Sequence, residues 1–158
     1  MSLIFNSQNL EIFGQLLLAV ILGSLIGAER ELRGRLAGVK THALVCLGAG
    51  LFTVLSTVGF GEFVSAANFD PSRVASQIVV GIGFLGAGLI IFHQSQVQGL
   101  TTAAGIWTTA AIGMAIGVKF YFVALFATFL VLLVYAIFYY FEIFIDRFRD
   151  KTHKPDQF

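Results

Sequence analysis

A chain of 158 residues with 57% hydrophobic and 12% charged residues, at a mean hydropathy of +0.85, lies outside the range of soluble domains. Ten Lys and Arg against nine Asp and Glu leave a net charge of +1, far from the clustered basic face that nucleic acid requires as a partner. At about 20 apolar residues per membrane span, one membrane-embedded unit accounts for almost all of the sequence.

The residues before the first apolar run contain no Lys or Arg, and no A-x-A-type site follows that run. The first span is therefore expected to stay in the mature protein rather than leave as a signal peptide. It reads as Ile12 to Ala28, stopped by Glu29. The segment Glu29 to His42 then carries six charged residues, four of them Arg or Lys (Arg30, Arg33, Arg35 and Lys40). A second span follows from Ala43 to Phe60, then a polar stretch with Glu62, Asn68, Asp70, Pro71, Ser72 and Arg73. The third span is Val74 to Phe92, the segment His93 to Gly99 a polar turn, and the fourth span Leu100 to Val118. Lys119 marks a turn into a long fifth span, Phe120 to Ile145. The expected fold is an all-α membrane protein of five transmembrane helices, with residues 1–145 as the transmembrane domain and 146–158 as a mobile cytoplasmic tail. Continuous apolar runs without alternation argue against a β-barrel. The first connector and the tail hold four basic residues each, so the positive-inside rule puts the N-terminus outside and the C-terminus in the cytoplasm.

Composition sorts the spans. All 17 glycines lie at or before Gly117, and all four tyrosines lie beyond it. Gly23 and Gly27 on the first span, Gly81, Gly83, Gly86 and Gly88 on the third, and Gly105, Gly113 and Gly117 on the fourth predict close helix packing. The bulky, aromatic fifth span is expected at the lipid edge or at an oligomer contact. Leu47–Leu51 and Leu85–Leu89 share the sequence LGAGL. An inverted repeat would produce such an echo, but five residues from a small alphabet also recur by convergent packing. Cys46, the lone cysteine, reads as a small core hydrophobe.

The polar residues near the spans each have two readings. Asp70 and Pro71 fit the start of a helix, with Asp70 as its cap and Arg73 reaching the headgroups. Alternatively Asp70 and Gln77 present oxygens to a hard cation such as Mg²⁺, which keeps part of its hydration shell and needs few carboxylates. Glu29, Arg30 and Glu31 anchor the first span at the interface, or they join Arg33 and Lys40 in a docking surface for an anionic headgroup or a protein. Thr41 caps the second span, and His42 is a lone titratable group near neutrality. Thr101, Thr102, Thr108 and Thr109 bond within the bundle or line a polar path. Trp107 reads as a packing residue. No P-loop, G-x-S-x-G, H-E-x-x-H or cysteine cluster occurs, and Gly81-x-Gly83-x-x-Gly86 lies inside a span, so no enzyme activity is expected.

The polar punctuation as a whole resembles the membrane domain of the MgtC/SapB family. The stretches that carry the resemblance are Gly27 to Glu31, Ala37 to Ala49, Asp70 to Arg73, Gly81 to Gly88 and Gly99 to Ala104. It implies a bacterial inner-membrane protein of Mg²⁺ homeostasis, acting in adaptation to low Mg²⁺ either as a regulator, with F-type ATP synthase as a membrane partner, or as a Mg²⁺ or other small-ion transporter. Mg²⁺ is the one ion it suggests. Besides the lipid bilayer, a homo-oligomer such as a dimer is expected, because so short a chain would carry ions between subunits more readily than within one. Several members carry an ACT-like domain after the fifth span; this chain ends at Phe158, so regulation through that domain is not carried over. Gln98 stands where the family usually has Arg, and Thr101 where some regulatory members have Asn, so neither role transfers.

Overall fold

The computed structural model describes residues 6–59, 70–93 and 96–152. Five helices follow one another: α1 (Ser7–Leu32), α2 (Val39–Val54), α3 (Ser72–Ala87), α4 (Leu100–Gly117) and α5 (Tyr121–Thr152). A π-helical turn, Leu55–Gly59, prolongs α2, and two short strands, β1 (Ile91–His93) and β2 (Gln96–Gln98), precede α4. Among the described residues four helices are long and apolar enough to cross a membrane, and α3 is a shorter apolar helix.

The boundaries depart from the sequence reading for local reasons. Glu29 does not end α1, because Glu, Arg and Leu are good helix formers and Glu29 pairs with Arg33 one turn on. The helix stops at Gly34, whose φ of 64° closes a Schellman turn: Arg35 N–H donates to Arg30 O and Gly34 N–H to Glu31 O, both at 3.0 Å. The connector thus shrinks to Arg33–Gly38. At its far side Glu31 Oε2 accepts from Val39 N–H at 2.9 Å, so α2 starts four residues earlier than expected, with Thr41 and His42 inside it. Lys119, with φ of 65°, closes the same kind of turn after α4 through Phe120 N–H to Ala115 O at 2.8 Å.

The third span ends at Ala87 rather than Phe92. Beyond it, Ile91 pairs with Gln98, Phe92 with Val97 and His93 with Gln96, so the polar turn is a β-hairpin. Gly99 joins hairpin to α4 with φ of 89°, and a side chain there would collide with the Leu89 carbonyl. Helix α5 runs past Ile145 to Thr152, which takes the first part of the expected tail into the helix. Phe60, Glu62 and Asn68, together with the chain end beyond Thr152, lie outside the described residues.

Helices α1, α2 and α4 form the centre, with α5 against α4 and α1, and α3 leaning mainly on α4. The core comprises Ala19, Leu22, Ile26, Cys46, Ile112 and Ile116, extended by Ala124 and Tyr135 of α5. Small residues set the spacing. A methyl group on Gly23 would stand 2.6 Å from the His42 carbonyl oxygen, one on Gly27 2.6 Å from Val39 Cα, and one on Gly117 2.5 Å from Thr53 Cβ. Helix α3 differs: around Gly81 and Gly83 nothing lies within 4 Å of such a methyl, while one on Gly86 would reach Ala103 Cβ at 3.7 Å and one on Gly88 only its own turn. The two LGAGL copies are not equivalent either. The first lies mid-helix in α2, and the second runs off the end of α3.

Candidate functional site

Three helix ends meet where α1 finishes and α2 and α4 begin, and α5 passes beside them. This is the end of the bundle that also carries the Arg33–Gly38 connector and the hairpin. Arg30, in the last turn of α1, is only 3% exposed. Its Nη2 donates to Thr102 Oγ1 at 3.3 Å, and its guanidinium lies over the Tyr135 ring at 4.4 Å from the centroid. One turn further out, Arg33 stacks on Tyr139 at 3.6 Å and pairs through Nε with Glu29. Two arginines at i, i+3, one in the last turn of α1 and one at its C-cap, therefore meet two tyrosines at i, i+4 on α5, a spacing that aligns both pairs on facing helix sides. The buried Arg30–Tyr135 pair gains about 2 kcal/mol and the more exposed Arg33–Tyr139 pair about 0.5–1 kcal/mol, so these two rungs secure an otherwise outward-facing helix.

His42 completes the cluster. It is fully buried, and among the described residues neither ring nitrogen has a hydrogen-bond partner. The Tyr135 hydroxyl occupies the place where a side chain on Gly105 would begin, and His42 Nε2 is 3.8 Å from that place. Arg30 Nε, Arg33 Nη1 and Glu29 Oε2 also lack hydrogen-bond partners among the described residues. The N-termini of α2 and α4 point their partial positive charge at the same region. The site is cationic, aromatic and, at Arg30, His42 and Thr102, buried.

The structure brings together Arg30, His42 and Thr102 of the sequence candidates, with Glu29 and Arg33 at the rim. Lys40, Thr41 and Thr101 sit nearby in sequence but are exposed, so Glu29 to His42 is two helix ends rather than one docking loop. Thr108 and Thr109 hydroxyls donate to the Ala104 and Gly105 carbonyls. Trp107 is half exposed on the outer side of α4, not packed in the bundle. Tyr135 and Tyr139 were missed, because the fifth span read as lipid-facing throughout. The available signal was Tyr135 itself, the one tyrosine set well away from both ends of that span.

At the opposite end of the bundle Asp70 is exposed. Its Oδ1 accepts from Ser72 Oγ at 2.6 Å and from Ser72 N–H at 2.9 Å. These bonds, the hydroxyl's first, hold the carboxyl below its ordinary range, with Arg73 adding to the effect. Gln77 stands about 10 Å along the helix from Asp70 at 1.5 Å per residue, so the two do not form one ligand set. Among the described residues no three His, Cys, Asp or Glu side chains converge. Glu11 and Lys119 pair here at 2.8 Å, and buried Gln15 donates to the terminal carbonyls Ile116 O (2.8 Å) and Gly117 O (3.3 Å) of α4.

Fold and site define a multi-pass, all-helical membrane protein with a cationic polar cluster buried at one end of its bundle. The chain belongs to the MgtC family, whose model matches residues 16–144, and it is a multi-pass protein of the inner membrane. It is 45% identical over 127 residues to the "Putative magnesium transporter YhiD" of Escherichia coli K12, covering 79% of this chain and 59% of that one. Over 117 residues it is 46% identical to "Protein MgtC" of Salmonella typhimurium LT2, covering 74% and 48% respectively. A Haemophilus influenzae protein is 43% identical over 133 residues, covering 82% and 56%. The chain thus spans about half the length of the curated relatives it matches. No solved structure matches it.

Proposed function

We propose that this protein serves Mg²⁺ homeostasis as a membrane regulator that acts by contact with another membrane complex, F-type ATP synthase being the partner the family resemblance suggests, and that it is not an enzyme. The Mg²⁺ link rests on the family and on the names of its relatives. The observation that carries the regulatory reading is the buried Arg30. Mg²⁺ needs oxygen ligands and a retained hydration shell, whereas the polar cluster between the helices offers a fixed cation, two aromatic faces and two helix N-termini. The guanidinium and the helix N-termini repel a divalent cation, the aromatic faces do not ligate it, and the rim carboxylate of Glu29 is already paired with Arg33. Around them α1, α2 and α4 close on one another through glycine contacts too tight for a methyl group, which leaves little room for a hydrated ion.

The test uses the purified chain in proteoliposomes loaded with a Mg²⁺-sensitive dye, beside inverted membrane vesicles that contain F-type ATP synthase. The expected result is Mg²⁺ entry no faster than into empty vesicles, together with slower ATP-driven proton pumping when the protein is present. Protein-dependent Mg²⁺ entry that Asp70→Ala abolishes would replace this reading with transport. Unchanged pumping would remove the synthase as partner.

A further inference from the structure

A largely exposed helix carries the next inference. Helix α3 has 16 residues, about 24 Å at 1.5 Å per residue, short of the roughly 30 Å hydrocarbon layer. Only Ile82 and Gly86 on it are buried. Between α3 and α2 lies an apolar groove of about 500 Å³, walled by Val45, Gly48 and Phe52 on one side and by Gln77, Gly81 and Leu85 on the other. Gly48 and Gly81 face open space, unlike Gly23, Gly27, Gly113 and Gly117, which the helix contacts of this chain fully use. Gln77, Gly81 and Leu85 follow at i, i+4 and i+8, so they form one stripe. The Gln77 amide is exposed on it and makes no hydrogen bond among the described residues. Acyl chains offer that amide no partner, and an unsatisfied amide facing hydrocarbon is costly.

We propose that the groove receives α3 of a second copy of this chain, so that two protomers associate about a two-fold axis along the membrane normal, each α3 lying in the α2–α3 groove of its partner. The bilayer supplies the argument for a second copy. Protomers inserted in the same direction carry equal residues at equal depth, so Gln77 meets Gln77. A glutamine amide is both donor and acceptor, which makes the pair self-complementary, as a two-fold contact requires. Gly48 and Gly81 let the backbones approach, and association relieves the mismatch of a short helix. The interface does not depend on whether the protein regulates or transports.

The experiment is energy transfer between donor- and acceptor-labelled full chains in liposomes over a range of protein-to-lipid ratios. Gln77→Leu weakens association by about three- to tenfold, the range of interhelical polar contacts, and Gly81→Leu abolishes it. Both variants keep the helicity and thermal midpoint of the native chain, since a Cβ at position 81 has nothing within 4 Å in the protomer and a longer side chain extends into the open groove. Phe129→Ala, on exposed α5, leaves transfer unchanged. Transfer no greater than random in the native chain, with lipid alone in the groove, overturns the proposal. So does transfer that survives Gly81→Leu, or that Phe129→Ala removes instead.

Discussion

Arg30 shows how one extra helical turn changes what a residue is for. Read along the sequence it follows an apolar run and belongs at the interface, but α1 continues through it and carries it under Tyr135 and beside Thr102. The Gly105 position is the sharpest probe of that arrangement, because the Tyr135 hydroxyl fills the space a side chain there needs. Gly105→Ala should cost about 1–3 kcal/mol, the usual range for overpacking. Tyr135→Phe alone should cost little, since it keeps the ring face under Arg30. In the double variant the nearest ring carbon is 3.4 Å from the new methyl, an ordinary contact, so most of the loss should return. Reversible unfolding of the four proteins in mixed micelles measures the coupling. Additive losses would show that the hydroxyl does not occupy that space.

Among the elements, α3 has the simplest start, and its cap is open to titration. Asp70 holds the first turn through the Ser72 hydroxyl and amide, and its folded pKa lies below the unfolded value of 3.8. A depressed carboxylate contributes stability that is fully present above the unfolded pKa and lost as pH falls through the folded one. The Ser72 amide resonance should therefore shift with a midpoint below 3.8, and Asp70→Asn should flatten the curve. A midpoint at or above that value would mean the carboxylate is not held. The sequence made this cap legible because Asp-Pro-Ser is a local signal. Helix existence was legible too, since long apolar runs admit little else. Which glycines pack was not: Gly81 and Gly113 look alike in sequence, yet Gly113 meets the Cys46 carbonyl and Gly81 meets nothing. The hairpin Ile91–Gln98 hid for a related reason, because its first strand is apolar and continues the pattern of the helix before it.

For the whole molecule, the way the charges gather bears on orientation. Arg30, Arg33, Arg35 and Lys40 lie at the bundle end where α1 finishes and α2 begins, and the C-terminal part of α5 emerges at that end. The opposite end offers Arg73 and Lys119. The positive-inside rule then predicts the connector, the hairpin and the end of α5 in the cytoplasm and Asp70 outside. The place of the hairpin holds only if α3 crosses the bilayer despite its length, because α2 already carries Asp70 to the face opposite the connector and a re-entrant α3 would leave the hairpin on Asp70's side. Cysteine accessibility separates the two cases, and Cys46, fully buried, contributes little background. In intact cells a membrane-impermeant maleimide should label Ser72→Cys and spare Val97→Cys, which lies on the far side of α3 and is half exposed, and permeabilisation should expose Val97→Cys. Labelling of both positions, or of neither, before permeabilisation would show that α3 turns back within the membrane. That outcome would also remove the equal-depth pairing on which the α3 interface depends.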